Sequence, residues 1–125
     1  MIMIKERYCS RELCELLRDK GFKGRCHSYY YPHLNTQIFG YPQDWNAFHG
    51  YINCPTHQMA CDYLSEKYDL HIIVYPYKAN NEKKWCCKVF KKYNMLGYER
   101  YFNESLNSLE EAVEEALKYC LTELI

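Results

Sequence analysis

The sequence predicts an α+β fold, three helices packed on a mostly antiparallel β-sheet in the order α-β-(β)-α-β-β-(β)-α. Three observations carry this expectation. Leu13, Leu16 and Leu17 near one end, and a long apolar stripe from Leu109 to Leu124 near the other, recur at helical spacing. Between them lie runs rich in tyrosine, isoleucine and valine, bounded by turn residues, which read as strands. Asn80-Asn81 joins two of those runs directly, and so short a connection makes neighbouring strands antiparallel. At 125 residues the chain is expected to be a single domain, 1–125.

The first helix is predicted from Arg11 to about Lys20, with Ser10 as its cap and Gly21 as its left-handed stop. Arg25 to Tyr31 follows as a strand ended by Pro32, and Thr36 to Tyr41 as a weaker one. Pro42 to Pro55 has no period and reads as a loop. The second helix begins near Pro55-Thr56, capped by Cys54 or Thr56, and carries Met59, Ala60, Tyr63 and Leu64 on one face, with Asp69 just beyond its end. Leu70 to Tyr77 is apolar on both faces and reads as an interior strand. Trp85 to Lys91 returns as its hairpin partner, and Tyr98 to Phe102 adds a third strand after a turn at Gly97. Ser108-Leu109-Glu110-Glu111 is a capping box that opens the last helix.

Sixteen basic residues balance sixteen acidic ones, which argues against a dedicated nucleic-acid binder. Met1 to Arg7 has no long apolar core and no small-residue cleavage site, which argues against a signal peptide. The eight cysteines fall mostly inside apolar helix and strand patterns, so they read as reduced thiols that behave as small hydrophobes. A cytoplasmic protein, a monomer or a small homo-oligomer, is expected. No apolar run approaches the roughly 18 residues of a membrane span. Walker A, G-x-G-x-x-G, H-E-x-x-H and G-x-S-x-G patterns are all absent, so no cofactor is expected.

Three sets of residues are candidates for function. The first is aromatic: fourteen tyrosines and two tryptophans are far above ordinary usage. Tyr29, Tyr30, Tyr31, Tyr41, Trp45, Phe48 and Tyr51 fall in one segment, with His33 and His49. Exposed together, Tyr29, Tyr31, Tyr41, Trp45, Phe48 and Tyr51 would form a binding platform for a protein, peptide or sugar; buried, they would fill the core. The second set is Cys54, His57 and Cys61, with His49 or Cys26 as a fourth ligand for zinc. Cys54 is also the best nucleophile, with His57, His49 or His71 as base and Asp44 or Asp62 as orienter. Its spacing matches no standard zinc or hydrolase signature.

The third set is a basic hairpin over 78–100, where seven basic residues meet two glutamates. Lys84, Trp85, Lys88 and Lys91, with Phe90 and Tyr93, could hold a single strand by stacking and phosphate contact. From the second helix onward the order α-β-β-β-α is similar to that of double-stranded-RNA-binding domains. Those domains carry lysines at the start of their last helix, where this chain has Glu110, Glu111, Glu114 and Glu115.

A second resemblance is carried by Leu13-Cys14-x-Leu16-Leu17-x3-Gly21-Phe22, Pro55-Thr56-x-Gln58, Tyr63-Leu64-x-Glu66-Lys67-Tyr68-Asp69-Leu70-His71-Ile72 and Ser108-Leu109-Glu110-Glu111-Ala112. With these residues the chain resembles small uncharacterised proteins of Bacteroides-type gut bacteria and their phages. The resemblance implies a fold and a setting, an accessory gene of a phage or mobile element. It implies no activity, cofactor or catalytic residue, and 32–54 lies outside it. The tyrosine excess and the lack of an assembled catalytic set point to a non-enzymatic function, binding of a macromolecular partner through the aromatic segment; the alternatives are a metal- or thiol-dependent enzyme centred on Cys54, His57 and Cys61, and nucleic-acid binding by the hairpin 78–100.

Overall fold

A computed structural model describes residues 6–31, 33–48, 50–93 and 96–125, with side chains described outside 92–98. The fold is α+β, and its elements follow the predicted order. They are α1 (Arg11–Asp19), β1 (Cys26–Tyr30), β2 (Gln37–Gln43), a 3-10 turn (Trp45–Ala47), β3 (Ile52–Asn53), α2 (His57–Tyr68), β4 (Leu70–Ala79), β5 (Glu82–Tyr93), β6 (Leu96–Leu106) and α3 (Leu109–Tyr119), which ends in a π turn (Cys120–Leu124). The one sheet expected from the sequence is two: β2-β1-β3 and β4-β5-β6, each antiparallel. The chain divides into two compact units, Met1–Ala60 and Cys61–Ile125, with the boundary inside α2.

In the first unit, Ser10 caps α1 by accepting from the Leu13 amide at 3.3 Å, and Gly21 takes the left-handed backbone (φ 85°) that stops it. Leu13, Cys14 and Leu17 form the buried stripe of α1. β1 alternates: Cys26, Ser28 and Tyr30 are buried, while His27 and Tyr29 point to the other face. The segment expected to be loop contains β3, whose Ile52 pairs with Tyr30 and whose Asn53 pairs with Tyr29. Two residues of strand are too few for a periodic signal, so only the pairing reveals them. Thr56, not Cys54, caps α2: its Oγ1 accepts from the Met59 amide at 3.2 Å. Cys54 instead prolongs the β1–β3 pairing, its amide donating to the Ser28 carbonyl at 3.0 Å. Pro32, the predicted strand stop, lies outside the described residues.

In the second unit, Asn80 and Asn81 adopt left-handed backbone (φ 51° and 65°) and turn β4 into β5. The hairpin is longer than predicted, pairing Leu70–Ala79 with Glu82–Lys91 without a shift. Gly97, predicted as a turn, is a strand residue paired with Lys92. Ser108 accepts from the Glu111 amide at 3.1 Å, and Glu111 reaches back one residue further than the capping box predicts, to the Asn107 amide at 3.3 Å. Helix α3 covers the sheet face of Val89 and Tyr101: Tyr101 stacks on Tyr119 at 4.0 Å and donates to Glu115 at 2.9 Å. Leu117 and Leu121 are fully buried, and Ala112, Ala116 and Cys120 lie in the same stripe. No helix among the described residues is long and apolar enough to cross a membrane.

Candidate functional site

On the face of the first sheet that Tyr29 shares with Asn53, five of the six predicted aromatic residues come together. Tyr29 stacks on Trp45 with ring centroids 3.9 Å apart and on Tyr51 at 5.2 Å. Tyr31 meets Tyr51 at 4.9 Å, and Phe48 meets Trp45 and Tyr51 at 6.1 Å each. These separations are those of stacked and tilted aromatic pairs, which gain energy beyond area burial. The rings grade from inside to outside. Trp45 is 8 % exposed, Tyr29 and Tyr51 are half-buried, and Tyr31 (42 %) and Phe48 (47 %) reach solvent. The result is a shelf: its base is core and its lip is open. Tyr41 is not part of it. It stands 88 % exposed on the edge strand β2, within the stretch between Phe39 and Gln43 where the β1–β2 register shifts.

The shelf is held from below by polar groups, of which Asn53 and Asn46 carry no motif in the sequence. Asn53 is buried, and its Oδ1 accepts from the Trp45 amide at 2.6 Å while its Nδ2 donates to Asp44 Oδ1 at 2.6 Å. Asn46 Oδ1 accepts from the Asn53 amide at 2.9 Å, and Asn46 Nδ2 donates to the Phe22 carbonyl at 3.2 Å. Trp45 Nε1 donates to the Cys26 carbonyl at 2.8 Å. Each buried polar group is thereby satisfied, and the indole is fixed at both ends. The Tyr51 phenol is held above its ordinary value by its hydrogen bond with Tyr31 and then by burial.

Gly40 completes the seat. A Cβ there would lie 2.9 Å from Trp45 Cζ2 and 3.1 Å from Cη2, closer than packing allows. Because the indole is held by Cys26 and Tyr29, it cannot retreat. Gly40→Ala is expected to lower stability by about 1–3 kcal/mol, read as a lower urea midpoint with a shifted tryptophan emission; an unchanged midpoint would show that the indole is free to move.

The other predicted sites are not assembled. Among the described residues no group of three or more His, Cys, Asp or Glu side chains stands where it could hold a metal ion. Of the set Cys54, His57 and Cys61, the last two lie on α2 and Cys54 precedes it beside β3, and the alternative ligand His49 lies outside the described residues. Cys54 is fully buried and its thiol donates to the Cys9 carbonyl at 3.4 Å, which is the behaviour of a packed thiol, not an accessible nucleophile. Asp44, its predicted orienter, is engaged by Asn46 and Asn53, and Asp62 is exposed on α2. His71 joins Asp69 at 2.7 Å and Ser65 at 3.1 Å. This Ser-His-Asp chain sits where α2 ends, a helix terminus that offers carbonyls and no N–H groups to a developing oxyanion.

All eight cysteines are free thiols, and seven are buried. Burial pushes Cys26 and Cys120 up to about 12, and Cys61 and Cys87 up to about 11, from an ordinary 9.0. An unfolded chain ionises these thiols near 9, whereas the folded one keeps them neutral until 11–12. Their contribution to stability is therefore complete below pH 9 and is lost as pH rises toward 11–12. The urea midpoint, measured in reductant, is expected to fall from about pH 8 to about pH 10.5; a flat profile would contradict this assignment.

The basic hairpin splits between two faces, because side chains alternate along a strand. Trp85 and Lys91 share the face of Cys87 and Val89, the face α3 covers, while Lys84 and Lys88 point to the opposite face. Lys83 lies over Trp85 at 5.4 Å, and Lys84 Nζ bonds Asn107 at 3.0 Å. The side chain of Tyr93 lies outside the described residues.

Fold and site together define an α+β protein with a pre-stacked aromatic shelf on a small antiparallel sheet. No family model, curated protein or solved structure matches the chain.

Proposed function

We propose that the chain is a non-enzymatic interaction module whose first unit binds a partner protein through Tyr31, Phe48 and Tyr51. The observation that supports this reading most is the grading of the shelf: solvent-facing rings stand on rings that are already stacked and clamped. A pre-organised aromatic surface loses little entropy on binding, and large aromatic side chains anchor protein interfaces. The proposed setting is the cytoplasm, as an accessory protein of a phage or mobile element, resting on the resemblance of the helix-end motifs and on the packing of the thiols as small apolar groups.

The test is site-specific photo-crosslinking in cells with a benzophenone side chain at Phe48, compared with the same probe at exposed Glu12 on α1. A discrete adduct from position 48, lost on Tyr31→Ala, supports the proposal. No adduct, or the same adducts from both positions, rejects it.

A further inference from the structure

The second sheet has one face covered by α3 and one that is not. On the uncovered face, Ile73, Lys88 and Phe102 are register partners across three strands and form a single row. Tyr75 stands one step along β4. Lys88 Nζ lies 5.7 Å from the Tyr75 ring centroid and 5.3 Å from that of Phe102. Ile73, Tyr75 and Phe102 are all exposed. The arrangement is ring, cation, ring, displayed on a flat strand surface.

The cation between the rings selects the occupant. By register the open face carries Lys84 and Lys88 with Glu82 and Glu99, while Lys83 and Lys91 point to the face that α3 covers. We infer that this open sheet face binds single-stranded nucleic acid, with bases stacked on Tyr75 and Phe102 and Lys88 on a phosphate between them. Every base has a π-face that an exposed aromatic ring can take, and a lysine on a four-carbon stem can turn from the rings to a phosphate without moving the backbone. A duplex hides its bases inside, so it offers this face nothing to stack. A second copy of the chain would set Lys88 against Lys88, like charges in a drying contact. A single strand uses the rings and the cation between them together.

The experiment is fluorescence anisotropy of the full chain with labelled oligothymidine and oligouridine of about 12 nucleotides, and with a duplex of the same length. Salt is varied from about 50 to about 200 mM. The expected result is binding of either single strand, weakening steeply with salt, and at least about tenfold weaker binding of the duplex. Lys88→Gln should lower the slope of log affinity against log salt by about 0.7. Phe102→Leu, which keeps an apolar side chain on the strand, should weaken binding by about tenfold or more and leave the slope unchanged. Tyr31→Ala with Phe48→Ala should bind as the parent does, which separates this site from the shelf. Overturning results are no binding at about 100 μM protein, equal binding of duplex and single strand, affinities untouched by both sheet variants, or a dimer in sedimentation that Phe102→Leu dissolves.

Discussion

Asn53→Leu is expected to destabilise the protein by about 3 kcal/mol although the two side chains share the same branched heavy-atom skeleton. The change adds apolar bulk at a buried position and removes two short hydrogen bonds at once, from the Trp45 amide and to Asp44. The Trp45 amide and the Asp44 carboxylate would then be left without their Asn53 partner beside a buried indole, and a buried group left unsatisfied costs about 1–3 kcal/mol. The effect should reach the shelf, because the 3-10 turn that carries Trp45 is tied to β3 through Asn53 and Asn46. Urea unfolding followed by tryptophan emission reads both consequences: a lower midpoint and a red-shifted native baseline. A loss below about 0.5 kcal/mol, the ordinary range for a surface substitution, would show that the clamp does not support the rings.

Leu117→Ala is the second large effect, about 2–5 kcal/mol. Leu117 is fully buried on the face of α3 that covers β4, β5 and β6. Three of its neighbours along the stripe, Ala112, Ala116 and Cys120, are small and have nothing to extend into the space it vacates. Thermal melting should drop by at least about 10 °C. Leu117→Met, which conserves volume, should cost less than about 1.5 kcal/mol. Equal losses for the two variants would mean that shape, not volume, is limiting at this position.

The helices were legible because their signals are local. Ser10, Gly21, Thr56, Asn80-Asn81 and Ser108 each act within a few residues of where they stand, and each does what its chemistry predicts. The division into two sheets was not legible, since it depends on which strands pair. β1 takes its second neighbour, β3, from a segment of two strand residues with no periodicity of its own. The aromatic residues were visible by their density along the chain, but their grading from core to lip was not. Tyr41 stands apart from Tyr31 because it lies within a register shift on an edge strand. Asn53 and Asn46 resemble ordinary turn residues in sequence, and only the register that sets Asn53 beside Tyr29 reveals the clamp. Tyr75, Lys88 and Phe102 are likewise joined by register alone, across two strand pairings.

The most direct test of the shelf is the affinity of the crosslinked partner, once isolated, for three versions of the chain. Calorimetric titration should show Tyr31→Ala with Phe48→Ala binding at least about 30-fold more weakly than the parent, a loss of about 2 kcal/mol or more. Tyr41→Ala, altering an equally aromatic but separate residue, should bind within about twofold of it. Equal affinities for all three, or a greater loss from Tyr41→Ala, would contradict the assignment of binding to the stacked rings.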